Sequence, residues 1–240
     1  MTKVAIITLH GQGSFKTNAH KKMIKNILDE IDYNRGLIEV FPVLYYSKAQ
    51  ANQSGLISRM KIARPRVVSW VRDKIISSFG DPASIYHNKQ EYDYVMQKIK
   101  KEFIKAQAYV GENGSIVVVA HSLGGVLISN YLWDAQKAGI KYRRLKLVAT
   151  TGNPYGIFVS AINYNKIEAM SKPCFGFKWL NFWNKKDALS APMQILSDGY
   201  KYLVKDIEVK KGFWFFAHAK YKDDKNVYRE IANVIKGILD

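Results

Sequence analysis

The sequence predicts an α/β fold built on a mostly parallel, doubly wound sheet. Six short runs of β-branched and other apolar residues are spaced along the 240 residues, and helical patterns separate them. Strands that alternate with helices are typical of a parallel sheet whose helices cover both faces. The expected strands are 3–9, 37–43, 115–120, 145–151, 176–183 and about 205–211.

Composition is that of a soluble globular protein. Hydrophobic residues make up 48% and charged residues 24% of the chain, and 240 residues fit one large domain over 1–240. No apolar stretch approaches the roughly 20 residues that span a bilayer, and the first residues lack the three-part pattern of a signal peptide. We therefore expect a cytoplasmic protein.

The first strand leads into a glycine-rich loop, His10-Gly11-Gln12-Gly13-Ser14. Gly11 and Gly13 allow the backbone to come close to a bound molecule. A phosphate-binding loop is a weak alternative, because a third glycine at the right spacing and a Gly-Lys-Ser/Thr ending are both missing.

A helical excursion is expected at about 45–110, because this segment is long for a simple connection. One helix opens near Pro65, and a second follows as the crossover that packs on the sheet before strand 115–120. Residues 45–64 form either a plain polar loop or a lid over a pocket, and both interpretations stay open. The apolar face of the second helix comprises Tyr92, Val95, Met96, Ile99 and Phe103.

A serine stands at the junction between strand 115–120 and the next helix, in Ala120-His121-Ser122-Leu123-Gly124. Such a sharp turn forces the serine into a strained conformation and requires small residues on both sides. It also exposes the hydroxyl at a helix N-terminus, where N–H groups can face a developing oxyanion. Ser122 is therefore a candidate nucleophile.

With Gly125, this pentapeptide resembles the Gly-x-Ser-x-Gly motif of the α/β-hydrolase family, and in particular its lipase- and esterase-like members with His-Ser-Leu-Gly-Gly. Ala120 replaces the first glycine. The resemblance implies the α/β-hydrolase fold, in a compact version that lacks the two leading strands, because the first strand already carries the oxyanion loop. It also implies the chain order serine, acid, histidine for a catalytic triad.

His218 is the candidate base, because it is the only histidine after Ser122. It lies between an aromatic stretch and a C-terminal helix, where the resemblance places the base. The apolar face of that helix comprises Val227, Ile231, Val234, Ile235 and Ile238.

Asp187 is the favoured acid. It follows the predicted strand 176–183, and its surroundings look like the acid loop of related lipases and esterases. Loops at the carboxyl ends of strands are where such folds build sites. Asp198 is the competitor, although Ser197-Asp198-Gly199 is more typical of a turn, and Asp206 falls in a β segment.

Two backbone donors are expected to form an oxyanion hole. One is the N–H of Leu123, the residue after the nucleophile. By resemblance the other is the N–H of Gln12, in a loop that His10 and Gly11 shape.

The charge is strongly basic, with 37 Lys and Arg against 20 Asp and Glu, a net charge of +17 and a pI near 9.7. The basic residues are spread along the chain, so the charge serves solubility alone or attracts an anionic membrane. Nucleic acid is an unlikely partner, because no nucleic-acid-binding motif occurs. Cys174 is the only cysteine, and the absence of a His/Cys cluster predicts no metal; we expect no cofactor.

These observations predict a serine hydrolase that cleaves a carboxylic ester of a small molecule or a lipid. A thioesterase, amidase or acyltransferase would use the same triad. An alternative of another class is a catalytically silent basic protein that binds an anionic partner, and the complete Ser-Asp-His order argues against it. The sequence does not indicate an oligomeric state.

Overall fold

Six parallel strands form one sheet in the order β2-β1-β3-β4-β5-β6. The computed structural model describes residues 2–10, 18–31, 35–45, 89–156, 168–187, 189–212 and 214–240. The strands are β1 (Val4–Leu9), β2 (Ile38–Val43), β3 (Ser115–His121), β4 (Leu145–Thr151), β5 (Lys178–Trp183) and β6 (Val204–Glu208).

The helices of these ranges are α1 (Asn18–Ile31), α2 (Lys89–Val110), α3 (Leu123–Lys137), α4 (Asp198–Leu203) and α5 (Lys225–Leu239). Short 3₁₀ turns occupy Arg35–Leu37, Trp214–Ala219 and Tyr221–Asp223. None of the helices in the described ranges is both long and apolar enough to cross a membrane.

The six predicted strands are confirmed, with ends that agree within three residues. The crossover helix before β3 is also confirmed as α2, in which Val95, Ile99 and Phe103 are buried. The helix predicted near Pro65 and the segment 45–64, expected to be either a plain loop or a lid, lie outside the described residues, apart from Tyr45.

The chain divides into two compact units, one of Met1–Val43 with Lys101–Asp240 and one of Leu44–Lys100. The first unit holds the whole sheet. The described part of the second unit consists of residues 44–45 and the helical residues 89–100. A single domain over 1–240 stays a prediction.

One face of the sheet is covered by α1 and α5. Alternate residues of β1, β3, β4 and β5 point to this face, as expected for a strand, and meet the apolar stripes of the two helices. Asp224 caps α5, because its carboxylate accepts a hydrogen bond from the N–H of Asn226 at 2.9 Å. The buried helical residues are Met23, Ile24, Ile27, Ile31, Val227, Ile231, Ala232, Ile235 and Leu239.

An aromatic cluster lies beside α3. The ring of Phe103 stacks on Tyr131 of α3 with centroids 5.2 Å apart, and it lies 4.5 Å from the ring of Tyr142. The two tyrosine hydroxyls hydrogen-bond to each other, which satisfies both buried polar groups. The strand–helix unit that carries Ser122 is therefore tied to the residues before β4.

Because the strands are parallel, the carboxyl ends of β3, β5 and β6 lie at the same edge of the sheet. Ser122 follows β3, Asp187 follows β5 and His218 follows β6. Three segments far apart in sequence therefore meet at that edge.

Candidate active site

Ser122 has a strained backbone. Its φ is 55° and its ψ −126°, and it is the only non-glycine residue with positive φ in the described ranges. The turn is held by the Ser122 N–H, which donates to the carbonyl of Thr151 at 2.9 Å, and by the Gly125 N–H, which donates to the Ser122 carbonyl at 2.8 Å. The serine therefore stands at a fixed, sharp turn between β3 and α3.

The glycines after Ser122 are required by packing. A Cβ on Gly124 would lie 2.7 Å from the carbonyl oxygen of Leu9 and 2.9 Å from that of His10. A Cβ on Gly125 would lie 2.6 Å from Cγ of Asn153. The small residues thus let α3 start directly against the end of β1, where the glycine-rich loop begins.

Three of the predicted site residues are joined by hydrogen bonds. The Nε2 atom of His218 lies 2.9 Å from Oγ of Ser122, and its Nδ1 atom lies 2.8 Å from Oδ2 of Asp187. An ionised carboxylate only accepts, so Nδ1 carries the hydrogen and Nε2 is free to accept the Ser122 hydroxyl. The geometry is that of a serine, a base and an orienting acid.

Asp187 is buried, and donors surround its carboxylate. Oδ1 accepts the N–H of Leu189 at 3.0 Å, while Oδ2 accepts the hydroxyl of Tyr221 at 3.0 Å as well as His218. Burial by itself raises the pKa of Asp187, but these donors and the charge of His218 lower it below its ordinary value. Asp187 is therefore stabilised as an anion.

The two competing carboxylates have other partners. Asp198 is exposed at the start of α4 and pairs with Lys201 at 2.8 Å. Asp206 accepts the side-chain amide of Asn181 at 2.7 Å and the N–H groups of Met193 and Gln194 at 3.0 and 2.7 Å. Asp206 thus fixes the segment after the Asp187 loop, and of the three candidates it is Asp187 that contacts His218.

The predicted oxyanion hole is described in part. Leu123 is the first residue of α3, and the first N–H groups of a helix have no carbonyl partner inside it. His10 directly follows β1, and its carbonyl lies against the start of α3, as the Gly124 packing shows. Gly11 and Gln12 lie outside the described residues, so their roles stay predictions.

His121 directly precedes Ser122, and no role for its ring was predicted from the sequence. It lies 4.9 Å from the ring of His218, and its Nδ1 donates to the carbonyl of Thr151 at 3.0 Å. Burial, followed by the charge of His218, lowers the pKa of His121 to about 3. His121 therefore stays neutral and packs against the ring of His218 as an uncharged side chain.

Gly152, Ser190 and Tyr221 were also missed by sequence reasoning. Tyr221 hydrogen-bonds both Asp187 and, at 3.0 Å, Oγ of Ser190. Gly152 follows β4 with φ +57°, where a Cβ would lie 3.1 Å from the His218 ring. The available signals were a glycine at the carboxyl end of a strand and a tyrosine three residues after the base, and neither is specific without coordinates.

Gly152→Ala should lower activity by about a hundredfold, because the added methyl would lie 3.0 Å from the Tyr221 ring and 3.1 Å from the His218 ring. Both rings must shift, and small displacements of reacting groups have costs of that size. The positive φ should also destabilise the fold by roughly 1–2 kcal/mol. The measurement is kcat/KM together with thermal unfolding.

Gly139→Ala is the matched control. Gly139 also has positive φ, at +73°, but a Cβ added there would meet no atom of the described residues within 4 Å. Gly139→Ala should therefore show the same loss of stability as Gly152→Ala but keep full activity. Equal activity losses in the two variants would contradict the role given to Gly152.

Comparisons with known proteins give structural matches only. No protein-family model matches the sequence, and no curated protein matches it. A cutinase-like protein from Cryptococcus sp. is similar in structure, with a TM-score of 0.50 and 11% identity over 99% of this chain and 95% of that chain. A hyperthermophilic esterase from the archaeon Pyrobaculum calidifontis is similar with a TM-score of 0.52 and 13% identity, covering 99% of this chain and 78% of that chain. Together with the six-stranded parallel sheet, these likenesses show that the chain has the α/β-hydrolase fold.

Proposed function

We propose that this protein is a serine hydrolase that cleaves a carboxylic ester. The observation that carries the proposal is the hydrogen-bonded series from Ser122 through His218 to Asp187, with the serine on a strained turn at a helix N-terminus. A catalytically silent binding protein has no need for this strain, which costs of order 1–3 kcal/mol wherever it occurs.

In the proposed mechanism, Oγ of Ser122 attacks the acyl carbonyl carbon while Nε2 of His218 takes the hydroxyl proton. Asp187 holds the imidazole in the required tautomer and stabilises the imidazolium. The N–H of Leu123 and, by resemblance, that of Gln12 bind the oxyanion of the tetrahedral intermediate. His218 then gives its proton to the leaving alcohol, and the acyl group stays on Ser122.

A water molecule completes the cycle. His218 takes a proton from the water, the resulting hydroxide attacks the acyl-serine, and the carboxylic acid leaves as Oγ of Ser122 regains its proton. The same steps serve a thioester or an amide, and an acyl acceptor other than water would make the protein an acyltransferase. We favour a small-molecule or lipid ester, because the two structural neighbours are named as a cutinase-like protein and an esterase.

A panel of p-nitrophenyl esters of rising acyl length tests this proposal, with a matched thioester and anilide beside it. The proposal expects hydrolysis of at least the short esters at a rate above that of the thioester and the anilide. A preference for the thioester or the anilide would move the function to that class. No hydrolysis of any member by the folded protein would contradict a hydrolase.

We further propose that Tyr221 is a positioning residue that acts through Asp187. Its ring is buried, and its hydroxyl donates to the same oxygen, Oδ2, that receives the His218 N–H. Burial and the charge of Asp187 raise the pKa of Tyr221, so the hydroxyl remains a donor at all working pH values. Tyr221 therefore holds the carboxylate of Asp187 in the orientation that accepts the N–H of His218.

Tyr221→Phe should lower kcat/KM by about tenfold or more, because a hydrogen bond to a charged group contributes about 1.5–3 kcal/mol. The substitution should also change the stability of the folded protein at acid pH. A carboxyl whose folded pKa is lowered contributes stability above its unfolded pKa of about 3.9, and that stability is lost as pH falls through the folded pKa. Removing the hydroxyl raises the folded pKa of Asp187, so acid unfolding should begin at higher pH.

Tyr200→Phe is the control for Tyr221→Phe. Tyr200 is also buried, but its hydroxyl donates to another neutral hydroxyl, that of Tyr155, at 3.1 Å. We expect it to leave both kcat/KM and the acid unfolding midpoint nearly unchanged. If the two variants lose activity equally, Tyr221 has a packing role only.

Three sequence-based expectations stay proposals. The net charge of +17 supports peripheral contact with an anionic membrane, and plain solubility is the competing explanation. A cytoplasmic location and a lack of nucleic-acid partners are likewise proposed from the sequence.

A further inference from the structure

Phe175 is held in solvent by a tight turn. Its side chain is 99% exposed, the largest value among the exposed hydrophobic residues of the described ranges. The Phe177 N–H donates to the Cys174 carbonyl at 3.3 Å, and Gly176 between them has φ +77°. A positive φ at this place is typical of a type II turn, which requires glycine there.

The turn is fixed to the amino end of β4 by two hydrogen bonds. Nζ of Lys146 donates to the carbonyl of Phe175 at 3.0 Å, and Sγ of Cys174 donates to the carbonyl of Leu145 at 3.2 Å. Phe177 is buried, with its ring edge-on to Trp179 at 6.5 Å between centroids. Phe175 is therefore an apolar side chain on a well-anchored turn, and it contributes nothing to the core.

Basic residues surround this turn. Residues 140–146 and 172–178, here called the entry edge, lie at the amino ends of β4 and β5 and include the first residues of these strands. They contain six basic residues and no acidic one. None of the six forms an ion pair with another described residue. Arg144 and Lys146 donate to backbone carbonyls, and the other four make no side-chain hydrogen bond to a described residue: Lys141, Arg143, Lys172 and Lys178. Ile140, at 45% exposure, adds a second apolar side chain. In the sequence, Asp134 and Glu168 are the last acidic residues before the two segments of the entry edge.

We propose that the entry edge docks on an anionic lipid bilayer. Phe175 enters the boundary between headgroups and acyl chains, and the unpaired lysines and arginine lie against lipid phosphates. An exposed aromatic side chain within a basic surface is the combination that binds the membrane interface. This proposal locates the membrane contact proposed above and does not depend on ester hydrolysis.

A bilayer fits this surface better than a nucleic acid does. The apolar part consists of a projecting phenylalanine and an isoleucine, and an isoleucine offers nothing to a base or a phosphate. An acyl-chain boundary accepts both side chains.

Docking by the entry edge leaves the candidate active site facing away from the bilayer. The entry edge lies at the amino ends of β4 and β5, whereas Ser122, Asp187 and His218 follow the carboxyl ends of their strands. Six residues of β5 at about 3.3 Å each separate the two edges by roughly 20 Å. Hydrolysis of a water-soluble ester should therefore be the same with and without vesicles.

Vesicle co-sedimentation tests the proposal, with phosphatidylcholine vesicles that contain or lack phosphatidylglycerol. The full chain carrying Ser122→Ala is used, so that binding is measured without hydrolysis of any lipid. Phe175→Ser should weaken binding to anionic vesicles by about tenfold, the loss expected for one large apolar side chain. Phe175→Leu should retain most of the binding. Lys172→Glu with Lys178→Glu should weaken it by more than about twentyfold, and added salt should weaken it in every variant.

Matched controls distinguish vesicle binding by the entry edge from binding through the overall net charge. Tyr94→Ser removes an aromatic side chain that is 44% exposed on α2, and Lys100→Glu with Lys101→Glu makes the same charge change on that helix. Both should leave vesicle binding close to that of the parent protein. Equal losses in the entry-edge and α2 variants would overturn the proposal in favour of general charge.

Equal binding to neutral and anionic vesicles, or unchanged binding by Phe175→Ser, would also overturn it. The proposal would also be overturned if the protein is retained on single-stranded nucleic acid and Phe175→Ser abolishes this retention while vesicle binding persists. An inactive protein that binds vesicles as described would contradict only the proposed hydrolysis.

Discussion

Ser122→Ala should lower ester hydrolysis by about a millionfold while the protein stays folded, the scale seen when a triad nucleophile is removed. The hydroxyl is the group that forms the acyl-enzyme, and His218 then has no serine proton to accept. The side chain lies at a turn and supports no core packing, so the thermal midpoint should change little. The rate is measured on the best ester of the p-nitrophenyl panel.

Ser129→Ala is the matched control on the same helix. Ser129 is buried, and its Oγ donates to the carbonyl of Gly125 at 2.7 Å, so its loss affects α3 without touching the proposed chemistry. It should keep near-normal kcat with a modest change in stability. Full activity in a folded Ser122→Ala protein would remove Ser122 from the mechanism.

Asp187→Asn should lower activity by about ten thousandfold, the scale known for this change in a triad. An amide at this position turns an N–H group toward His218, which then adopts the tautomer that cannot accept the Ser122 proton. The fold should persist, because the amide oxygen can still accept the Leu189 N–H. Steady-state kinetics together with circular dichroism separate the chemical effect from unfolding.

Asp198→Asn makes the same chemical change at the competing carboxylate. That side chain is exposed and pairs with Lys201, an interaction worth little at a surface. Activity should be nearly unchanged. A large loss for Asp198→Asn with a silent Asp187→Asn would move the acid to Asp198.

The sheet could be predicted from local sequence because most of its strands are short β-branched or aromatic runs bounded by polar residues. Val204–Glu208 is the exception, with three charged residues. Ser115–His121 is completely buried up to its last residue, so the pattern carries a strong signal. His218 and Ser122 were predictable because the motif and the chain order leave no other pair. The hydrogen bonds between them join residues 96 positions apart, and only the parallel topology brings these together.

The contacts around Asp187 and His218 could not be predicted in the same way. Tyr221 reaches Asp187 across 34 positions, from a 3₁₀ turn whose polar sequence resembles an ordinary surface segment. Gly152 has its role because the His218 ring passes over it, and His121 because its ring meets that of His218. Each depends on where a distant loop folds back, which local propensity does not determine.

Labelling with a fluorophosphonate, followed by mass spectrometry of the modified peptide, tests the central claim most directly, because only an activated serine reacts. We predict a single adduct on Ser122 of the folded wild-type protein, absent from Ser122→Ala and strongly reduced in His218→Ala. The absence of an adduct on Ser122 in the folded wild-type protein, or an undiminished adduct elsewhere in Ser122→Ala, would contradict a hydrolase built on Ser122, His218 and Asp187.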